Sequence, residues 1–535
     1  MDDLAAVTDR VWDCVVVGTG VGGATLGHAL AAAGQRVLFV EKGRAGLEPS
    51  DGLRGFYPET HFEEAALAAP RHQALLRQGG RWSEEVLSGG GGFVPLLGCG
   101  GGGSSALFGM AMERFFPEDF RPGPRLHALA GGSSLPDAWP VSYEEMLPFY
   151  RRAERLYRVR GARDPLRPAD EALPAAPVPG PHNAELARHF AAAGLHPYRL
   201  PLACEFVNDC ACCQGFLCAR DCKNDAARSC LRPAVREHGA VLLDECEAIT
   251  LEAAGDRITA LVCRRHGTEF RVRARHYALG AGALATPCLL LSSRSPGWPD
   301  GLANRSGLVG RNLMRHGVDL YLVFTRARGD PRSKEIGLSD FYVGAGEKLG
   351  TLQSFGALPP ASMLATEVIA DASAALPFAG VVAKAMRPLL ERGLAALFRR
   401  GVLLAGIMED LPYPDNRIEA GDPPRVHYVL REPDRARLRL FRQGIARALK
   451  PYRFLPLRQA EKNRMLAHVC GTCRFGDDPA SSVLDRNNRA HGVANLYVVD
   501  ASFFPSSGGT NPALTIAANA LRVAEHMLTR NHAEV

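Results

Sequence analysis

The sequence predicts an α/β fold in which a Rossmann-like unit is interleaved with a second, α+β unit. Three observations carry this. The chain opens with a strand, glycine turn, helix and second strand, VWDCVVVGTGVGGATLGHALAAAGQRVLFVEKG (11–43). It closes with another short strand, a Ser/Gly loop and a long helix, NLYVVDASFFPSSGGTNPALTIAANALRVAEHM (495–527). Its 535 residues also exceed what one simple core accommodates, so two units or one large composite are expected.

In the first segment, Cys14 to Val17 is a short apolar run suited to a buried parallel strand. Gly18, Gly20 and Gly23 follow in G-x-G-x-x-G spacing, then a helical stretch and a strand ending at Glu41. Gly18 permits the tight turn, Gly20 lets the backbone approach a pyrophosphate, and Gly23 lets helix and strand pack closely. The helix N-terminus offers amides and a positive dipole end to phosphate, and Glu41 can accept hydrogen bonds from ribose hydroxyls. The unit predicts dinucleotide binding over a merely structural turn. Alone it does not separate NAD from FAD.

In the last segment, Leu496 to Val499 is a strand ending at Asp500, and Asn511-Pro512 is a strong helix-start signal. Asn511 could simply cap that helix. The glycine loop before it is nevertheless built for close approach to a ligand, and the helix dipole favours an anion there, such as the N1–C2=O edge of a reduced flavin.

These pieces resemble the glucose–methanol–choline (GMC) oxidoreductases. GCGGGGSSALFGMAMERF (98–115) looks like the family's flavin loop, WPVSYEEMLPFYRRAE (139–154) like the segment that follows it, YALGAGALATPCLLLSS (277–293) like its second signature, and SGLVGRNLMRH (306–316) like a further block. The resemblance implies a GMC-type fold with an FAD-binding domain drawn from 1–160, 205–315 and 465–535. The substrate domain, an antiparallel sheet with helices, would comprise 161–204 and 316–464. It implies FAD held by Gly103, Ser104 and Ser105, by Gly280 and Gly282, by Asp500, Ala501 and Pro512, and by the backbone of Ala248 beside adenine. Ala106 stands where some members attach FAD through a histidine, so noncovalent FAD is expected. Phe108 stands where many carry asparagine, removing a hydrogen bond near the flavin.

HVCGTCRFG (468–476) sets a histidine beside two cysteines. Alcohol oxidation needs a base for the hydroxyl proton, and imidazole titrates near neutrality. The resemblance makes His468 that base and Asn511 its companion, binding the substrate oxygen. A packed histidine and a metal ligand are the alternatives; with Cys470 and Cys473 a zinc site is one ligand short.

Seven of the fourteen cysteines lie between Cys204 and Cys230. Such density suits an iron–sulfur cluster, structural zinc, disulfides or reduced thiols. The run resembles FAD-dependent sugar dehydrogenases carrying a 3Fe-4S cluster, which implies Cys212, Cys218 and Cys222 as ligands. An electron-acceptor protein or small subunit would then be a partner. Lys223 replaces the proline usual after the last cysteine.

Net charge is +6, from 63 basic and 57 acidic residues without blocks, so nucleic-acid binding has no support. The acidic N-terminus carries no secretory signal, which predicts a cytoplasmic protein, with export alongside a partner left open. Eight charges interrupt the apolar region 365–406, so no transmembrane segment is expected. Amphipathic helices covering a core or active site, or lying on a membrane surface, fit better. A Pro-rich linker is expected over 161–182 and a strand over 425–430. Glu409 reads as a solvated or salt-bridged carboxylate rather than an active-site group. The function predicted is FAD-dependent oxidation of an alcohol or sugar hydroxyl, with electrons passed to an acceptor or oxygen. A lyase with non-redox flavin and a flavin-binding scaffold are the alternatives.

Overall fold

The computed structural model describes residues 4–47, 54, 55, 57, 86–88, 91–93, 95, 97–126, 131–208, 210, 212–329, 334–343, 347–356, 359–462, 466 and 468–533. Strand Val11–Val17 pairs in parallel with Val37–Val40 on one side and Thr268–Leu279 on the other; Val241–Leu243 and Leu496–Val498 extend the set to five parallel strands. Val15, Val16, Val37, Leu38 and Phe39 are fully buried, as a parallel sheet covered on both faces requires. The registers Val17↔Val40, Val40↔Leu243, Val17↔Leu279 and Leu279↔Val498 bring all five C-terminal ends level. The loops after these strands therefore leave along one edge, where ligands bind in open α/β sheets. Helices Val21–Ala32 and Ala513–Ala533 pack against each other over the sheet.

A second, antiparallel sheet runs in the order Arg453–Leu457, Gly317–Phe324, Val402–Met408, Gly350–Ser354, Ile336–Leu338, Tyr198–Arg199. Helix Glu432–Ala448 lays Phe441 and Ile445 on it. A Cβ at Gly406 would meet Ile445 at 2.9 Å, so a bare backbone lets helix and sheet approach. A third, small sheet joins Arg417–Glu419, Arg425–His427, Val86–Ser88 and Gly91–Phe93.

Three expectations change. The strand expected over 425–430 is shorter, Arg425–His427. The region 365–406 is not helical throughout. Helices Ala361–Ala375, Pro377–Ala385 and Arg387–Phe398 give way to Val402–Met408, a wholly buried central strand. Pro377 and Pro388 sit in helix first turns and punctuate the run. The Pro-rich stretch lacks regular structure before helix Pro181–Ala192, but it is anchored. Asp170 pairs with Arg114 and Arg151, both at 2.5 Å, and these cations hold its carboxyl far below the usual range. Among the described residues no helix is long and apolar enough to cross a membrane.

Candidate active site

The level edge of the parallel sheet opens into a cavity of about 2140 Å³ that reaches the second sheet. Its lining includes Gly18, Gly20, Glu41, Gly103, Ser104, Ser105, Ala248, Gly280, Gly282, Asp500, Ala501, His468, Asn511 and Pro512. Gly23 does not line it.

The three glycines of the first turn separate by physical role. Gly18 sits at φ +89°, and a Cβ there would meet Gly280 O at 2.6 Å. A Cβ at Gly23 would lie 2.1 Å from Gly18 O. Both are required by the protein's own packing. Gly20 has φ −66°, and its Cβ would meet only Gly280 O, at 3.8 Å. Protein atoms leave that space open. Gly20 also stands at the N-cap of helix Val21–Ala32 without a side-chain cap, so the first-turn amides remain available to an anion. The open Gly20 space, the uncapped helix and the large adjoining cavity fit a dinucleotide such as FAD.

Glu41 holds the site together. Its carboxylate accepts from Thr19 N (3.0 Å), Thr19 Oγ1 (2.6 Å), Gly43 N (2.9 Å) and Gly100 N (3.0 Å). These bonds tie the Gly98–Ser105 loop to the first turn, and burial pushes the carboxyl pKa up. A ribose hydroxyl would have to displace the Thr19 hydroxyl. Asp500 works similarly at the other end, accepting from Gly282 N (2.9 Å), Thr286 Oγ1 (2.5 Å) and Ser502 N (2.8 Å). Ser105 is structural: its hydroxyl donates to Gly102 O (2.6 Å) and accepts from Ala226 N (2.9 Å). Ser104 Oγ accepts from Gly98 N (3.1 Å) and faces the cavity. Ala248 stands where strand Cys246–Ala254 slips register against Arg257–Arg265, and such irregularities re-aim backbone beside a site.

At the reactive end, Met314 and Cys470 exchange backbone hydrogen bonds, each 2.9 Å. Because that bridge is antiparallel, His316, two residues after Met314, sits beside His468, two residues before Cys470: His316 Nδ1 lies 2.8 Å from His468 Nδ1. His316 Nε2 lies 3.2 Å from the carbonyl of Ser507, an acceptor only, so Nε2 carries the proton. His316 is fully buried and its pKa is pushed down to about 4, so the ring is neutral and Nδ1 is bare. His468 must then donate from Nδ1, which leaves its own Nε2 as a free acceptor. Burial, His316 and Lys334 push the His468 pKa well down, so that acceptor is populated at neutral pH. His468 is held at φ +55°, a conformation uncommon for a residue with a side chain.

Asn511 Nδ2 donates to His468 Nε2 at 3.4 Å, while Asn511 Oδ1 is buried without a partner. Asn511 therefore does not cap the helix through that oxygen. Its loop is fixed from several directions. Trp139 Nε1 donates to Ser506 Oγ (2.7 Å), Ser507 Oγ to Asp410 O (3.1 Å), and Gly509 N to Tyr342 OH (2.8 Å). Thr351 Oγ1 donates to Gly509 O (2.8 Å) and Thr510 Oγ1 to Glu113 (3.0 Å). Beneath lies a buried ionic group in which Lys348 joins Asp119 (2.7 Å) and Glu409 (3.1 Å), so Glu409 is a salt-bridged support.

His468, Cys470 and Cys473 do not converge as metal ligands; among the described residues only Cys204, Cys210 and Cys222 do, within 4.8 Å of one another. Their sulfurs form a contact chain: Cys204–Cys210 3.7 Å, Cys210–Cys222 3.8 Å and Cys218–Cys222 3.5 Å. No disulfide joins any of the fourteen cysteines, all of which lie among the described residues. Of the three ligands that the resemblance implies, Cys218 and Cys222 lie in this chain, and Cys212 lies beside Cys210 but outside the triangle. Tyr57 packs on the thiols and also lines the cavity. Lys223, buried, donates to Ala106 O (2.8 Å) and Phe216 O (3.1 Å), tying the thiol segment to the loop at 98–106.

Sequence reasoning missed Lys334, Gln214 and Gln353. Lys334 lines the cavity, buried, with its pKa pushed down to about 8. The side-chain oxygens of Gln214 and Gln353 are buried without partners and belong to the same wall. No motif marks these residues. His316 lies in a recognisable block, but its contact with His468 spans 152 positions.

A parallel-sheet edge shaped for a dinucleotide, facing an antiparallel sheet with a neutral imidazole and a carboxamide on the shared cavity wall, has the make-up of a dinucleotide-dependent oxidoreductase. Residues 136–318 match the N-terminal and residues 414–520 the C-terminal model of the GMC oxidoreductases. The chain belongs to this family, whose members are FAD-dependent oxidases and dehydrogenases of alcohols and sugars. It is similar to 6'''-hydroxyparomomycin C oxidase of Streptomyces lividus and to paromamine 6'-oxidase of Streptomyces fradiae. Each is 31% identical, over 98% of this chain and 94% of the relative. The crystal structure of pyridoxine 4-oxidase from Mesorbium loti shares the fold at 21% identity, with a TM-score of 0.60 over 96% of this chain and 99% of that one.

Proposed function

We propose that His468 is the general base of this oxidoreductase and Asn511 the residue that orients the substrate hydroxyl. The observation that carries this is the bare Nε2 of His468 facing the cavity beside an unpartnered Asn511 oxygen. A substrate hydroxyl placed between them donates its proton to Nε2, and Asn511 Nδ2, released from its 3.4 Å contact, donates to the substrate oxygen. FAD, when bound, supplies the hydride acceptor. Gly20, the amides at the start of helix Val21–Ala32, Ser104 and Ala248 would hold it, with Glu41 and Asp500 fixing the loops around it. The neutral state of His468 matters because an imidazolium cannot accept the proton. The two 31% relatives support a sugar-bearing hydroxyl as the substrate class. The test is anaerobic mixing of holoenzyme with candidate alcohols. His468→Ala should keep its flavin spectrum and lose the rapid bleaching; a normal bleaching rate would place the base elsewhere.

The thiol segment favours a second site. Sulfurs 3.5–3.8 Å apart match the edge of a tetrahedron with metal–sulfur bonds of about 2.3 Å. We propose a thiolate metal centre at Cys204, Cys210 and Cys222, with Cys218 beside them. A 3Fe-4S cluster on Cys212, Cys218 and Cys222 would need these sulfurs to spread, because thiolates on separate irons diverge. The donor chemistry suits either form. The half-buried flank at Cys210 and Cys212 suits delivery of electrons to an outside acceptor, a protein partner or small subunit. A cytoplasmic location belongs to the same proposal, and cell fractionation tests it.

A further inference from the structure

The helices Ala361–Ala375, Pro377–Ala385 and Arg387–Phe398 carry a face that the enzyme's chemistry does not use. Leu376 is 65% exposed, Phe378 78% and Val381 67%, and Val382, Met386 and Leu389 are also exposed. Phe378, Val381 and Val382 stand at i, i+3 and i+4 of one helix, so they share one stripe. Single exposed apolar residues are ordinary; a contiguous run on one surface marks a docking site. The charge pattern says what docks. From 384 to 400 the chain carries Lys384, Arg387, Arg392, Arg399 and Arg400 against the single acid Glu391. Lys384, Arg392, Arg399 and Arg400 are exposed. An apolar stripe flanked by exposed cations is the signature of a helix lying in a membrane interface, not of one crossing it.

The same helices border the cavity: Ser362, Thr366, Lys384, Arg387 and Phe398 line it, and the exposed Lys384 places them on its rim. A bilayer against this face would stand at the entrance, so a reactant dissolved in lipid could enter without crossing water.

We propose that this helical face docks the enzyme peripherally on an anionic membrane, with the cavity mouth toward the lipid. Each exposed basic residue strengthens attachment to an anionic surface about fivefold, and salt weakens it. The apolar stripe supplies the part that salt does not remove.

The test uses the holoenzyme and sedimentation with vesicles of pure phosphatidylcholine or of phosphatidylcholine containing a third phosphatidylglycerol. The enzyme should sediment with the anionic vesicles, at least tenfold more than with the neutral ones. The double variant Phe378→Asp, Val381→Asp should lose this binding about a hundredfold while oxidising a small water-soluble alcohol at the wild-type rate. Arg392→Gln with Arg399→Gln should lose it about twenty-five-fold. Light scattering of the same samples reads the competing occupant. A concentration-dependent dimer abolished by the aspartate pair, without vesicle binding, would make the face an interface between copies and overturn the proposal. Vesicle binding unchanged in the aspartate pair would overturn it too. Neither result bears on His468, because bleaching by a soluble alcohol does not require the membrane.

Discussion

Asn511 presents its amide nitrogen to His468 Nε2 at 3.4 Å and keeps its buried oxygen unpaired. An unpaired buried carbonyl costs stability, so the arrangement is tolerated only where something else fills it. A substrate hydroxyl or the flavin edge is the natural partner. Asn511→Leu keeps the volume and removes both polar atoms. It should fold at least as stably without substrate and lower the rate of flavin reduction about a hundredfold, since one donor aimed at developing charge contributes on that order. Stopped-flow reduction and a denaturant midpoint on the same sample check both parts.

The His316–His468 contact at 2.8 Å predicts that His316 sets the tautomer of His468. His316→Asn retains an acceptor for the Nδ1 proton and should stay within about tenfold of wild type. His316→Leu leaves His468 free to carry its proton on Nε2, where it cannot act as base, and should lose about a hundredfold or more in kcat. ¹⁵N NMR of the histidines reads the tautomer apart from activity: Nε2 of His468 should be bare in wild type and His316→Asn, and protonated in part in His316→Leu.

The glycines of the first turn make a sharper pair than their shared motif suggests. Gly23→Ala drives a Cβ to 2.1 Å from Gly18 O and should destabilise the protein with or without FAD. Gly20→Ala meets nothing nearer than 3.8 Å and needs no unusual backbone. It should leave the melting temperature of flavin-free protein unchanged and weaken FAD binding at least tenfold, measured by flavin fluorescence titration.

That contrast shows what the sequence could convey. Gly18, Gly20, Gly23 and Glu41 lie within one βαβ unit, so local spacing fixed their neighbourhood. It did not show that Glu41 spends all four acceptor positions on Thr19, Gly43 and Gly100, because Gly100 is 59 positions away. The buried strand Val402–Met408 read as a helix continuation because a wholly buried strand has no period of two, and short apolar runs are ambiguous. Lys334 and Gln353 reach the site only through the antiparallel sheet, whose pairings no local signal specifies.

Asp410 predicts a pH dependence of stability. Burial and the Asp434 carboxylate raise its pKa from 3.8 to about 8, despite hydrogen bonds from Tyr428 and Arg315 N. A carboxyl raised on folding contributes stability that is complete below its unfolded value and is lost as pH rises through the folded one. Asp434, raised to about 6, has the same sign. His316, lowered to about 4, acts oppositely but only below about pH 6.5. Lys334, lowered to about 8, adds stability as pH rises above about 8. Between pH 6.5 and 8 neither His316 nor Lys334 opposes the Asp410 effect, whose slope is up to about 1.4 kcal/mol per pH unit. The denaturant midpoint of flavin-free protein should fall across this window, and Asp410→Asn should flatten the fall.

The thiols separate two forms of metal centre by which cysteine matters. A single tetrahedral metal needs the triangle Cys204, Cys210 and Cys222, whose sulfurs already lie within 4.8 Å of one another. A three-iron cluster on Cys212, Cys218 and Cys222 does not need Cys204. Purified protein should contain about one equivalent of tetrahedral metal without acid-labile sulfide. Cys204→Ser should lose it, because two thiolates on a mobile metal hold far less tightly than three or four. Cys212→Ser should keep it. The opposite pattern, with iron and labile sulfide lost on changing Cys212 and retained on changing Cys204, would assign the cluster to the other set. Protein free of metal that yields disulfides on peptide mapping would assign the segment to neither. Cys288→Ser, remote from the thiol chain, serves as the control whose metal content should not change.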